Sequence, residues 1–257
     1  MTKCLTCSRT RAKLIPIIPA ALVAAAPPGS RSGGVFTSIP TLITARDRVT
    51  FLVDGFNLYH SAKAAAKSTG RGPFKWLDVS GLCRSYLPLL GATAELSGVH
   101  YFSALASHLV PTNPDVVHRH QVFLRALIGS GVTIPMGHFK RKDRTCVTCG
   151  ARLRIHEEKE TDVAIAVTLL ELAITRACES IALVSGDTDL APAIRAAKRL
   201  VPTVRLCSIF PYGRHNRELE QLVDVSFKMS DTAYAAHQLP DPLVLPNGKT
   251  VRKPATW

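Results

Sequence analysis

Two short apolar runs, each ending in aspartate, constrain this chain more than anything else in it. The first is Arg48-Val-Thr-Phe-Leu-Val-Asp-Gly-Phe-Asn57, and the second, far downstream, closes as Val184-Ser-Gly-Asp-Thr-Asp-Leu190. Runs of this length rich in Val, Ile and Leu read as buried strands. Residues just past the carboxyl ends of such strands line the ligand crevice of an open α/β sheet. Carboxylates at two of those ends are the oxygen donors a divalent cation prefers. The pattern points to phosphoryl or phosphodiester chemistry.

From Arg48 onward strand and helix patterns alternate. Strands are expected at 49–53, 99–105, 132–139, 180–185, 203–210 and 225–229, and helices at 58–67, 76–90, 113–128, 162–177, 190–200 and 216–223. Asp78 leads the second helix, while Asn113 and Pro114 supply a cap and a first helical position for the third. Pro135 argues for an edge or a bulge in its strand. The helix from Asp162 is apolar on most faces and reads as buried. Repeated βα units of this kind build an α/β fold with a mostly parallel, doubly wound sheet. The expected organisation is an extension over residues 1–47, a domain over 48–230 and a proline-rich tail over 231–257, loose from Pro240 onward.

The net charge is +13. Residues 1–50 hold seven Lys/Arg and one acid, which leaves 25 basic and 18 acidic residues in the remainder. A basic body around an acidic pocket suits a polyanion held by its phosphates, of which a nucleic acid is one. A solvated basic surface is the plainer reading of the same charge. The segment Lys13-Leu-Ile-Pro-Ile-Ile-Pro-Ala-Ala-Leu-Val-Ala-Ala-Ala26 has the outline of a signal-peptide core, but it is too short to span a bilayer and Pro16 and Pro19 break its helix. The expectation is a disordered or mis-started extension on a cytoplasmic protein with no membrane partner. Seven cysteines, an odd number, do not make a secreted disulfide framework. Cys83, Cys178 and Cys207 sit among apolar residues and read as buried thiols.

Asp54 follows the first strand, with Gly55 permitting a tight turn and Asn57 within reach of the site or of a phosphate. Asp187 and Asp189 follow the strand at 180–185, and Asp162 opens a helix whose positive end favours an acid. Mg²⁺ or Mn²⁺ held by these carboxylates would lower the pKa of a bound water and clamp phosphodiester oxygens. Each acid also has a purely structural reading. Asp189 can cap the next helix, Asp162 can be an ordinary first-turn acid, and Asp187 can be a turn residue after Gly186.

Three blocks resemble the signatures of the NYN domain, a branch of the PIN-like nuclease superfamily that includes the LabA-like bacterial proteins. They are Val53-Asp-Gly-Phe-Asn57, Glu158-Lys-Glu-Thr-Asp-Val-Ala-Ile-Ala-Val167 and Ser185-Gly-Asp-Thr-Asp-Leu190. Pro211-Tyr-Gly-Arg-His-Asn216 resembles a further segment of bacterial members. The resemblance implies a Rossmann-like, three-layer α/β/α fold and metal-dependent ribonuclease activity. By position it makes Asp54, Asp162, Asp187 and Asp189 the catalytic, metal-binding acids, with Asn57 beside them. Many relatives carry another aspartate where this chain has Thr168, so a non-catalytic RNA-binding or regulatory module is the alternative. Lys159 beside the site is a candidate phosphate contact, or a solvated lysine in a charge run.

Cys146 and Cys149 form a CxxC turn in a basic insert over residues 140–154. This is half of a Zn²⁺ site, which needs two further ligands. His138 and His156, Cys4 and Cys7, or a second subunit in a homodimer would supply them; otherwise the pair are free thiols or a reversible disulfide. His118 and His120, two apart on a helix, point to different sides.

Overall fold

The computed structural model describes residues 46–145, 149–150 and 152–257. The chain divides into two compact units, and the larger comprises residues 44–142 and 154–257. Its centre is β1 (Asp47–Asp54), in which every residue from Val49 onward is buried. Alternate β1 side chains serve two cores: Val49, Phe51 and Val53 face one, Leu52 the other. The same alternation holds in β5 (Ser180–Val184), where Ala182 and Val184 join the first core and Ile181 and Leu183 the second. A strand buried on both faces needs helices on both sides, so the sequence pattern dictates three layers.

The first layer comprises α1 (Gly55–Thr69), α2 (Val79–Ser85), α3 (Leu87–Leu90), α4 (Val116–Gly129) and α8 (Asp231–Ala236). The opposite layer comprises α5 (Thr161–Thr175), α6 (Ala191–Leu200) and α7 (Arg217–Leu222). Between them lie β2 (Ala94–Ala104), β3 (Met136–Thr145), β4 (Arg152–Lys159), β6 (Arg205–Phe210) and β7 (Val225–Lys228), beside β1 and β5. Among the described residues the sheet has seven strands in the order β4-β3-β2-β1-β5-β6-β7. The pairs β1/β2, β1/β5, β2/β3, β5/β6 and β6/β7 are parallel. The chain works outward from β1 to β4, then crosses back to place β5 on the other side of β1. This reversal opens a crevice at the carboxyl ends of β1 and β5, where ligands bind in open α/β sheets.

Several elements differ from expectation. The helix expected over 76–90 is two short ones, capped by Asp78, which accepts from the Gly81 N–H at 2.8 Å, and interrupted at Tyr86 ahead of Pro88. Helix α4 starts after Asp115 rather than after Asn113. The third strand begins only at Met136, beyond Pro135, and lies inside the sheet; β4, which the sequence presents as a charged insert, forms the edge. Helix α5 buries one stripe, Thr161, Ile165, Leu169 and Ala173, and exposes Val163, Val167 and Ile174. Burying a side chain such as Leu169 contributes about 2 kcal/mol, so this stripe suffices to dock the helix.

The tail is packed, including the part from Pro240 onward that is expected to be loose. Tyr234 is fully buried, its hydroxyl bonded to Ser61 Oγ at 2.7 Å and accepting from the Tyr212 N–H at 3.2 Å. Beyond it, β8 (Leu243–Val244) pairs antiparallel with β9 (Thr250–Val251), and Trp257 packs against Trp76 and Phe123. Large apolar side chains at Leu239, Val251 and Trp257 outweigh the proline content. Among the described residues no helix is long and apolar enough to cross a membrane. Residues 1–45, with the signal-like segment and Cys4/Cys7, lie outside the described residues, as do residues 146–148, with Cys146, and residue 151.

Candidate active site

Asp54 ends β1 and is 5% exposed. Its Oδ1 accepts the Asn57 N–H at 2.9 Å, capping α1, and its Oδ2 accepts from Ser185 Oγ at 2.9 Å. The partner residue is set by register: Val53 pairs with Val184, so the next residues, Asp54 and Ser185, leave adjacent strands together. Ser185 Oγ also accepts the Asp187 N–H at 3.1 Å. Asn57 Oδ1 accepts the Gly186 N–H at 3.3 Å. The two strand ends are thereby cross-tied, with Ser185 as the common link.

Gly186 is required here by close approach. A Cβ at this position would lie 2.0 Å from the Arg214 carbonyl oxygen, so the loop over residues 211–216 could not rest on it. That loop is held from below by Ser61, which donates to the Tyr212 carbonyl at 2.7 Å. Asp187 caps the short turn Thr188–Leu190 by accepting the Asp189 N–H at 3.0 Å. The capping role open to Asp189 is not taken up: Asp187 caps this turn instead. Asp189 is exposed in the turn, and α6 has no side-chain cap.

Asp162 reaches the crevice from the first turn of α5. The chain enters this helix through Glu160 at φ 75°, a left-handed conformation that is unfavourable for a residue with a Cβ. Two contacts fix the entry: His138 Nδ1 lies 3.0 Å from Glu160 Oε2, and β3 packs so closely that a Cβ on Gly137 would stand 2.7 Å from Thr161 Oγ1. Lys159 is exposed at the end of β4, three residues before Asp162.

The four acids share one electrostatic field. Burial raises the Asp54 carboxyl above its ordinary value, and the charge of Asp187 adds to this, while the hydrogen bonds from Asn57 and Ser185 oppose it. Asp162 is pushed up to about 6, first by the protein packed around it and then by Asp187, Asp54 and Asp189. Like charges held this close favour a cation among them. The donors are carboxylate, amide and hydroxyl oxygens, the set that Mg²⁺ and Mn²⁺ prefer. Among the described residues no three His, Cys, Asp or Glu side chains are drawn together tightly enough to ligate one ion as they stand. Mg²⁺ is satisfied by one or two carboxylates and its own waters, so this arrangement fits it without a preformed trio.

A cavity of about 760 Å³ is lined by Gly55 and Phe56, which follow Asp54 in the chain, and by aromatic, Lys, Arg and His side chains of several elements, α1 and α4 among them. Sequence spacing does not reveal it, because its lining comes from separate elements. Ser185 is likewise missed as the link between the acids, although it stands in the quoted motif. Of the zinc candidates, Cys149 is exposed, His138 is engaged by Glu160, and His156 stacks on His108 at 4.4 Å. His118 is exposed, whereas His120 is held by Ser103 Oγ at 3.2 Å, so the two do point apart.

A mostly parallel sheet with acids at its switch point defines an α/β protein with the three-layer architecture that the resemblance implies. The chain belongs to the NYN domain family, whose model matches residues 48–230. Over 243 residues it is 25% identical to 6-hydroxy-3-succinoylpyridine 3-monooxygenase of Pseudomonas putida (strain DSM 28022 / S16), covering 82% of this chain and 75% of that one. The crystal structure of a protein of unknown function from Vibrio parahaemolyticus RIMD 2210633 aligns with a TM-score of 0.49 at 16% identity, over 72% of this chain and 94% of that one.

Proposed function

We propose that this protein is a metal-dependent ribonuclease that hydrolyses RNA phosphodiester bonds at Asp54, Asp162, Asp187 and Asp189. The observation that carries the reading is the common field of these acids, which meet at the carboxyl ends of β1 and β5 and the start of α5 in an NYN domain. Mg²⁺ or Mn²⁺ bound there would acidify a water and neutralise charge on the scissile phosphate. The residues themselves supply the preorganisation. Ser185 and Asn57 hold the Asp54 carboxyl and the Gly186 backbone in one arrangement. Lys159, exposed at the end of β4, would meet a phosphate of the RNA strand, and the basic body would steer the polyanion inward.

The test is incubation of the purified protein with single-stranded and structured RNA, with Mn²⁺, with Mg²⁺ and after chelation. Cleavage that appears only with the cation supports the reading. RNA binding without cleavage would instead make the chain a non-catalytic NYN module, consistent with Thr168 where relatives carry aspartate.

A second reading is favoured by the aromatic-lined cavity. The Pseudomonas relative is named for 3-monooxygenation of 6-hydroxy-3-succinoylpyridine, and on this reading the present chain oxygenates a small hydroxylated aromatic. Oxygen uptake on adding that compound with an electron donor, in protein that leaves RNA intact, would favour it over hydrolysis.

A further inference from the structure

The cavity of about 760 Å³ falls within the range of roughly 300–1,000 Å³ of small-molecule sites. Two features of its lining specify a ligand. The first is flat aromatic surface: Phe56 and Tyr59 from α1 and Phe139 from β3 line it, with Phe56 and Phe139 edge-to-face at 5.6 Å. His108 extends this wall, its ring 4.6 Å from that of Phe139.

The second feature is charge of one sign. Lys63, Lys75 and Arg119 line the cavity, and among the described residues no Asp or Glu does. Their fields overlap: after burial, the charges of Lys63 and Arg119 are what depress the Lys75 ammonium. Among the described residues, the acid that meets any of the three is Asp115, 3.9 Å from Arg119, whose guanidinium also donates to Asn113 Oδ1 at 2.8 Å. Three cations around a half-enclosed space attract an anion, and the aromatic walls reward a flat one.

We propose that this cavity binds one planar aromatic group bearing an anionic substituent, the ring against Phe56, Tyr59 and Phe139 and the charge towards Lys63, Lys75 and Arg119. Gly55 and Phe56 of the lining follow Asp54 directly in the chain. The proposal stands apart from the hydrolytic reading. A nucleotide of an RNA strand and a free aromatic carboxylate present the same chemistry, a π-face and an anion.

Isothermal titration calorimetry of the full chain in metal-free buffer distinguishes the sources. The probes are UMP and AMP for a nucleotide and 4-hydroxybenzoate for an aromatic acid. Uridine lacks the anion, and ribose 5-phosphate and cyclohexanecarboxylate lack the aromatic ring. One class or both binds saturably, and each control is weaker by about tenfold or more, the loss of one stacked or charged contact. Saturation by the nucleotides alone identifies a base subsite; saturation by 4-hydroxybenzoate alone identifies a small-acid site. Lys75→Ala and Tyr59→Leu each weaken binding by about tenfold at an unchanged thermal transition. Lys63→Ala, at an exposed position, repeats the test should either variant fold poorly. Absence of saturation by both classes at millimolar concentration overturns the proposal, as do controls that bind equally well or full affinity in the lysine variants. RNA cleavage without mononucleotide or benzoate binding would overturn this site and leave the hydrolytic reading standing.

Discussion

Replacing Asp162 by asparagine is expected to stabilise the metal-free protein while disabling it. The Asp162 carboxyl stands at about 6, well above its ordinary 3.8, because surrounding protein and the charges of Asp187, Asp54 and Asp189 resist its ionisation. The positive end of α5 favours the charge by up to about 1 kcal/mol, and the upward shift shows that its neighbours outweigh this. A carboxyl raised in the folded state stabilises the fold below its unfolded value, and that contribution is lost as pH rises through the folded value. The window is therefore about pH 4 to 6. A shift of this size corresponds to about 3 kcal/mol at most. Asp162 is more than one-third exposed, and solvent screening reduces the effect to about 1 kcal/mol. For a chain of this length that is about 2–4 °C in Tm. Thermal unfolding after chelation, from pH 4 to pH 8, gives the measurement. Asp162→Asn should match the wild type near pH 4 and melt about 2–4 °C higher above pH 6, with Mn²⁺ cancelling the advantage by stabilising the wild type more. A variant less stable at pH 7, or an offset that does not change with pH, would refute the reasoning.

Gly186→Ala should destabilise the protein by about 1–3 kcal/mol in urea unfolding, because the new methyl meets the Arg214 carbonyl; an unchanged midpoint would show that the 211–216 loop yields freely. Trp257→Ala should cost about 2 kcal/mol through its lost contacts with Trp76 and Phe123. A neutral result in thermal unfolding would return the tail to the loose state that its proline content suggests.

Legibility in the sequence followed the strength of the local signal. Strands β1 and β5 are unbroken apolar runs, and a parallel sheet is the environment that accepts them. The acids at their ends could thus be placed from the residues alone. Strand β4 reads Arg-Leu-Arg-Ile-His-Glu-Glu-Lys, and charge conceals it, because an edge strand tolerates polar side chains that a central one does not. The break at Tyr86 comes from Pro88, which an uninterrupted helical pattern masks. Helix α5 reads as buried all round because its sequence is apolar, whereas Ile165, Leu169 and Ala173 are buried, Ala164, Leu170 and Leu172 pack partly against the same core, and Val163, Val167 and Ile174 are exposed. Glu160 at positive φ carries no signal, since nothing in its residue type favours that conformation. The cavity was hidden for another reason. Lys63, Lys75, Arg119 and Phe139 are far apart along the chain and converge only through the strand order.

The central claim is that the four aspartates act as one metal-dependent hydrolytic centre. Single-turnover cleavage of a labelled RNA across a Mn²⁺ titration, for the wild type, Asp54→Asn and Asp187→Asn, tests it most directly. Each amide keeps the size of the side chain and one accepting oxygen while removing the charge a cation needs; at Asp54 the second acceptor, facing Asn57 N–H or Ser185 Oγ, becomes an NH2. The account predicts saturable, Mn²⁺-dependent cleavage by the wild type and a loss of about 100-fold or more in both variants, on the scale of removing one strong electrostatic contribution to a transition state, with folding intact. Cleavage at the wild-type rate by either variant, or wild-type cleavage that survives chelation, would contradict it.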